Sequence, residues 1–158
     1  MSVEGTYCEV TETSLKGGEM YQSILVAIDG SENAERAGKQ AAQLATLVKG
    51  TEVTIVYVSD FDEDSNEKVH DGGQLEFELS RKKKIQPIKE ALERGEVFYK
   101  IEMMHGRPAP VIIEMANEGE FDLVVIGSRG LKPVSALVLG SVSQKVVNHV
   151  HCPVLVVK

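Results

Sequence analysis

The sequence predicts an α/β fold: a single-domain, open five-stranded parallel sheet with helices on both faces. Three observations predict it. Short apolar runs rich in Val and Ile lie between segments whose apolar residues repeat at helical spacing. Those runs are continuous and do not alternate with polar residues, as strands buried on both faces require. A chain of 158 residues also suits one core, since domains near this size bury about 68–70% of their unfolded surface. Connections between such strands are right-handed crossovers, and the ligand crevice lies beyond the carboxyl ends of the strands where their order reverses. In the order 3-2-1-4-5 that point lies between the first and fourth strands.

Residues 1–21, rich in Glu, Thr and Gly, read as a flexible leader, within which Thr6–Thr13 has the composition of an edge strand. The domain proper spans 22–158. Its first strand, Ser23–Asp29, ends on an acid followed by Gly30 and Ser31. Ser31 is an N-cap, Glu32 and Glu35 suit the positive first turn, and Ala34, Ala37, Ala41, Leu44, Ala45 and Val48 carry the helix toward Gly50. Val53–Val58 is a second, β-branched strand. After a long polar loop, Ile85, Ile88, Ala91 and Leu92 mark a helix ending at Gly95, with Pro87 expected to kink or split it near Gln86. Val97–Met104 is the third strand, Pro108–Asn117 a helix with Pro in its first turn, and Phe121–Ile126 the fourth strand. Gly140–Val150 and Val154–Val157 supply a last helix and a fifth strand.

Composition narrows the function. A net charge of −7 repels phosphate polymers, so no nucleic-acid partner is expected; the one basic run, Arg81 to Lys84, reads as a solvated helix face. No apolar stretch has membrane-spanning length and residues 1–20 lack a signal-peptide pattern, so no membrane partner and a cytoplasmic location are expected. Cys8 and Cys152 do not form a disulfide framework and read as free thiols.

The chemistry lies after the fourth strand, in Gly127-Ser128-Arg129-Gly130, nine further residues, and Gly140-Ser141-Val142-Ser143 at the start of a helix. Gly127 turns the backbone off the sheet, Gly130 permits positive φ so that successive amides point inward, and Gly140 allows close approach at the helix start. Ser141 and Ser143 add hydroxyl donors beside the unpaired amides of the first turn, which together suit a polyphosphate. About six such bonds at a net 0.5–1.5 kcal/mol each contribute roughly 3–9 kcal/mol, against about 8 kcal/mol for micromolar binding. Spacing excludes the commoner phosphate motifs: no Walker A loop precedes Gly38-Lys39, and no Gly-x-Gly-x-x-Gly occurs.

On these residues the chain resembles the universal stress protein family, whose ATP-binding branch carries Gly-x2-Gly-x9-Gly-Ser/Thr after the fourth strand. The resemblance covers 22–158 and includes the strand ends at Asp29 and Val58, the His105-Gly106-Arg107-Pro108 junction and the closing Pro153-Val154-Leu155-Val156-Val157. It implies an adenine nucleotide alpha hydrolase-like fold and ATP, AMP or ADP as ligand, with Mg or Mn bound through the phosphates. It places Ala27 and Asp29 near the adenosine, Val58 and Ile126 against the adenine, and Gly106 nearby. Arg129, Gly127, Gly130, Gly140, Ser141, Val142 and Ser143 fall to the phosphates. The leader and the acidic loop 60–71 depart from the family pattern.

Other constellations carry less. Asp60, Asp62, Asp64 and Asp71 have the spacing of a calcium loop, but Ser65 stands where glycine is needed and a strand precedes where a helix is required. His149 and His151 at a helix end lack further zinc ligands and read as capping or surface groups. Asp29 is the one candidate base; a role toward the adenosine or the first-helix amides takes precedence, so no catalytic residue is assigned. The expected function is an ATP-binding regulatory module of the stress response. The alternatives are a nucleotide-independent dimeric scaffold and a slow ATP hydrolase, the latter without the Ser-Gly-Gly-x-Asp-Ser loop of related hydrolases. A homodimer through the C-terminal strand is expected because that strand presents an apolar sheet edge.

Overall fold

The computed structural model describes residues 21–59, 73–130 and 139–158. In chain order the elements are β1 (Ser23–Ile28), α1 (Glu32–Leu47), β2 (Glu52–Ser59), α2 (Gly73–Arg94), β3 (Phe98–His105), α3 (Pro108–Glu118), β4 (Leu123–Gly127), α4 (Ser141–His149) and β5 (Val154–Val157). The five strands form one sheet in the order β3-β2-β1-β4-β5, with every neighbouring pair parallel. Edge strand, calcium-like loop and Cys8 all fall outside the described residues.

Alternation along β1 divides the core between the two faces, as a strand of period two must. Ile24, Val26 and Ile28 pack with Ala37, Ala41 and Ala45 of α1 and with Ile85, Ile88 and Leu92 of α2. Leu25 and Ala27 turn the other way, onto Ile112 and Ala116 of α3 and Val146 of α4. The alanine face of α1 lets that helix lie close to both the sheet and α2, and Gly38 closes the gap: a Cβ there would stand 2.5 Å from Ile88 Cδ1. The entry to β1 is pinned by Asp122, whose Oδ2 accepts from the amides of Gln22 and Ser23 at 2.9 Å each.

Pro87 does not split its helix, which runs unbroken from Gly73 to Arg94. Ile85 and Ile88 are both buried against the sheet and α1, so one packed stripe holds the two sides of the proline together. The carbonyl that loses its partner belongs to Lys83, an exposed residue.

Candidate functional site

Chain connections leave β1 toward β2 and leave β4 toward β5, so a crevice opens between the carboxyl ends of β1 and β4. A cleft of about 330 Å³ lies there, a volume within the range of small-ligand sites. Its floor is Ala27, Ile28 and Asp29 from β1, Tyr57 and Val58 from β2, and Ile126 and Gly127 from β4. Pro108 and Ile112 of α3 form an apolar wall, while Arg129, Gly130 and Gly140 to Ser143 form the opposite, polar rim.

The polar rim gathers backbone donors of the kind that suit an anion. Gly140 is the N-cap of α4 with extended backbone (φ −70°, ψ 163°) and no side-chain cap, so the amides of Ser141, Val142 and Ser143 keep the unpaired status of a helix's first turn. Together with the helix dipole they favour negative charge at the cleft. The Gly140 amide is committed elsewhere, donating to Ser128 O at 2.7 Å. Ser143 departs from its expected role as a hydroxyl donor to the ligand: it is buried, and its Oγ donates to Gly127 O at 2.7 Å. That bond ties the helix start to the end of β4 and sets the rim's width.

Two glycines of the motif answer to space more than to backbone freedom. A Cβ on Gly127 would stand 2.8 Å from the backbone carbon of Asn33, because the first turn of α1 packs directly on the end of β4. One on Gly130 would stand 2.7 Å from Asp29 Oδ2. The expected positive φ at Gly130 is not adopted; among the described glycines it occurs at Gly30, Gly50 and Gly106. The contact comes from a side chain distant in sequence, which local turn chemistry does not foresee.

Asp29 is oriented by the helix that follows it. Its Oδ1 accepts from the Ser31 amide at 2.9 Å, while Ser31 Oγ accepts from Ala34 N at 3.2 Å and donates to Arg129 O at 3.5 Å. Asn33 Nδ2 donates to Ser128 Oγ at 3.3 Å. The start of α1 thus clamps the loop after β4 and turns the free oxygen of Asp29 toward Gly130.

The basic run on α2 is the largest departure from the sequence reading. Lys82 and Lys83 are exposed, as expected of a solvated face, but Lys84 lays its stem over Gly30 and donates from Nζ to Tyr57 Oη at 3.1 Å. Lys84 Nζ and Arg81 Cζ lie 5.4 and 5.9 Å from the centroid of the Tyr57 ring, within cation–π range. Arg81 and Lys84 precede Ile85 and Ile88 by one turn on the same stripe, and that spacing was the available signal.

Of the twelve expected binding residues, the cleft brings together Ala27, Asp29, Val58, Ile126, Gly127, Arg129, Gly130, Gly140, Ser141, Val142 and Ser143. Gly106 is not among the lining residues: it is buried, has φ 134°, and donates its amide to Ser59 O at 3.0 Å, carrying the β2–β3 ladder one residue past β3. Cys152 is a free thiol packed beside the α3 and α4 face of the core, where burial pushes its pKa above the usual thiol range. His149 Nδ1 lies 2.8 Å from Lys145 O, as in a helix-end cap. The described residues contain no group of three His, Cys, Asp or Glu able to hold a metal ion.

Fold and site together define a doubly covered parallel α/β domain with an anion-receiving rim at its strand-order reversal. Residues 20–158 match the model of the universal stress protein family, and the chain belongs to that family. It is 31% identical over 153 residues to universal stress protein MJ0531 of Methanocaldococcus jannaschii, covering 94% of this chain and 89% of that one. A universal stress protein of Thermus aquaticus is 35% identical over 139 residues, which is 88% of this chain and all of that one. Among solved structures, the protein MJ0577 is 34% identical, with a TM-score of 0.74 over 88% of this chain and 96% of its own. Two further universal stress proteins share the fold at 22% and 23% identity, one solved with cAMP and one from Archaeoglobus fulgidus with dAMP.

Proposed function

We propose that this chain is an ATP-binding regulatory module of the stress response, working in the cytoplasm, which holds its nucleotide in the crevice between β1 and β4. The observation that carries the proposal is the rim itself: three first-turn amides of α4 lie at a cleft lined by Gly127, Gly130 and Gly140. The apolar side formed by Val58, Ile112 and Ile126 suits a flat base, and Asp29 stands between the two as a hydrogen-bond acceptor for a ribose. Two universal stress proteins of this fold were solved with cAMP and with dAMP, which supports an adenylate as the ligand. Magnesium or manganese would arrive on the phosphate oxygens, since no protein cluster among the described residues offers it a cage.

A binding role is favoured over turnover because Asp29, the one acid among the described residues lining the cleft, already has one oxygen engaged by the Ser31 amide. Occupancy of the rim would be read by a partner or by a second copy of the chain, for which the β5 edge at Val154–Val157 offers one place to pair. The test is mass spectrometry of nucleotide released from the purified protein, followed by calorimetric titration of the stripped protein with ATP, ADP and AMP, with and without magnesium. Saturable binding of at least one adenylate supports the proposal. Absence of heat and of any released adenylate refutes it.

A further inference from the structure

We infer that Lys84 is a positioning residue for the nucleotide: its ammonium holds Tyr57, and through Tyr57 the β2 side of the cleft, in the shape that receives the adenosine. The inference rests on the nucleotide reading of the cleft. Tyr57 lines the cleft from the end of β2 yet is 3% exposed, so its hydroxyl needs a partner inside the protein. Lys84 is that partner. It donates from Nζ to Tyr57 Oη at 3.1 Å, and the same nitrogen lies 5.4 Å from the ring centroid. Arg81 stands beside the same ring, with Cζ 5.9 Å from the centroid. A bond at the tip of the side chain and cations beside its ring restrict rotation about both torsions of the tyrosine.

The backbone makes room for this lysine. Gly30 has φ 86°, and the stem of Lys84 lies where a side chain on Gly30 would stand: a Cβ there would be 2.6 Å from Lys84 Cδ. Gly30 directly follows Asp29, another residue of the cleft. One side chain of α2 thus crosses the ends of β1 and β2, resting on the turn after Asp29 and bonding Tyr57. Packing alone does not call for it. Ordering a lysine is entropically unfavourable, and an aliphatic side chain would extend the stripe of Ile85, Ile88 and Leu92 onto Gly30 without an ammonium to satisfy. A phenylalanine at position 57 would need no donor. The polar pair stands where the sheet meets the cleft, so what the ammonium adds is control over a residue that lines it. The phosphate rim lies on the other side of β1, at Gly127, Gly130 and the start of α4. Lys84 therefore acts on the adenosine end through Tyr57, and the number of phosphates on the ligand is immaterial to it.

The test is calorimetric titration of the full chain with AMP and with ATP and magnesium, alongside urea unfolding of each variant to separate loss of fold from loss of affinity. Lys84→Met keeps a stem over Gly30 and removes the ammonium; it is expected to weaken both nucleotides by the same factor, about fivefold, the net value of one hydrogen bond. Tyr57→Phe deletes the same bond from its other end and leaves no buried hydroxyl unpaired, so it is expected to fold as the parent does and to show a similar loss. The double change is expected to bind no more weakly than the weaker single change, because both remove one bond. Lys82→Met, at an exposed position, makes the same change in net charge and is expected to bind as the parent does. Four results overturn the inference: unchanged affinity in Tyr57→Phe or in folded Lys84→Met, a greater loss for ATP than for AMP, additive losses in the double change, or an equal loss in Lys82→Met. A parent that binds neither nucleotide refutes the nucleotide reading and the inference with it, whereas a parent that binds no better than its variants refutes the inference alone.

Discussion

Replacing Gly130 by valine separates the rim from the rest of the fold. A Cβ at this position would lie 2.7 Å from Asp29 Oδ2, inside any tolerable contact, so the carboxylate must swing away or the loop must lift. Either movement breaks the Asp29–Ser31 bond or widens the rim, and both remove the geometry on which phosphate binding rests. Gly130 is itself exposed, so the unliganded protein should lose only the net value of about one hydrogen bond, roughly 1 kcal/mol. Ligand-linked stabilisation is larger. At a nucleotide concentration one hundred times Kd, the native state gains about 2.7 kcal/mol. For a chain of this length each kcal/mol moves Tm by roughly 2–4 °C, so the parent protein should rise by about 5–10 °C in saturating ATP with magnesium. Differential scanning fluorimetry with and without ATP reads both quantities. The expected result is a shift of that size in the parent and none in Gly130→Val. A variant that responds as the parent does, or a parent that does not respond, would refute the reasoning.

Further outcomes follow from the packing. Gly38→Ala gains up to about 1 kcal/mol in helix propensity but drives a methyl group into fully buried Ile88, where overpacking costs about 1–3 kcal/mol; urea unfolding should register a net loss of about 1–2 kcal/mol. Ser143→Ala leaves the carbonyl of Gly127 without its donor, which costs about 1–3 kcal/mol in the same assay and weakens nucleotide binding by loosening the rim. Leu92→Ala, at a fully buried position, should cost about 2–5 kcal/mol. For Cys152 the folded pKa lies above the unfolded one because burial disfavours the thiolate. Its contribution to stability is therefore whole below about pH 8.5 and is lost as pH rises through the folded value. Comparison of unfolding curves for the parent and Cys152→Ala across pH 7–10 checks the sign: the difference should change only above the unfolded thiol's titration.

Much of this architecture was legible from one sequence because its strands are buried on both faces. A run such as Ile24 to Ile28 admits no other assignment between a polar leader and a capped helix, and β5 occupies the residues predicted for it. The cleft was legible for a related reason. Glycines spaced around a helix start, next to the strand-order reversal, define an anion site in both chemistry and place. What escaped were properties set by distant neighbours. Pro87 reads as a kink or a break until the buried flanks Ile85 and Ile88 are seen to carry the helix unbroken across it. Lys84 reads as a solvated charge until Gly30 and Tyr57 are found beneath it.

The sequence by itself determined the strands, the helices and the glycine-framed rim, because each depends on periodicity, capping and residue size within short windows. Only the tertiary structure decided that Ser143 bonds Gly127, that a side chain at Gly130 would meet the Asp29 carboxylate, and that Gly106 bonds Ser59 of β2 outside the cleft. It also decided that β3 ends the sheet with apolar side chains in the open. The physical reason is the same in each case: local conformation is governed by neighbours along the chain, whereas the use of a hydroxyl, the space at a Cα or the exposure of a strand edge depends on residues brought together only by folding.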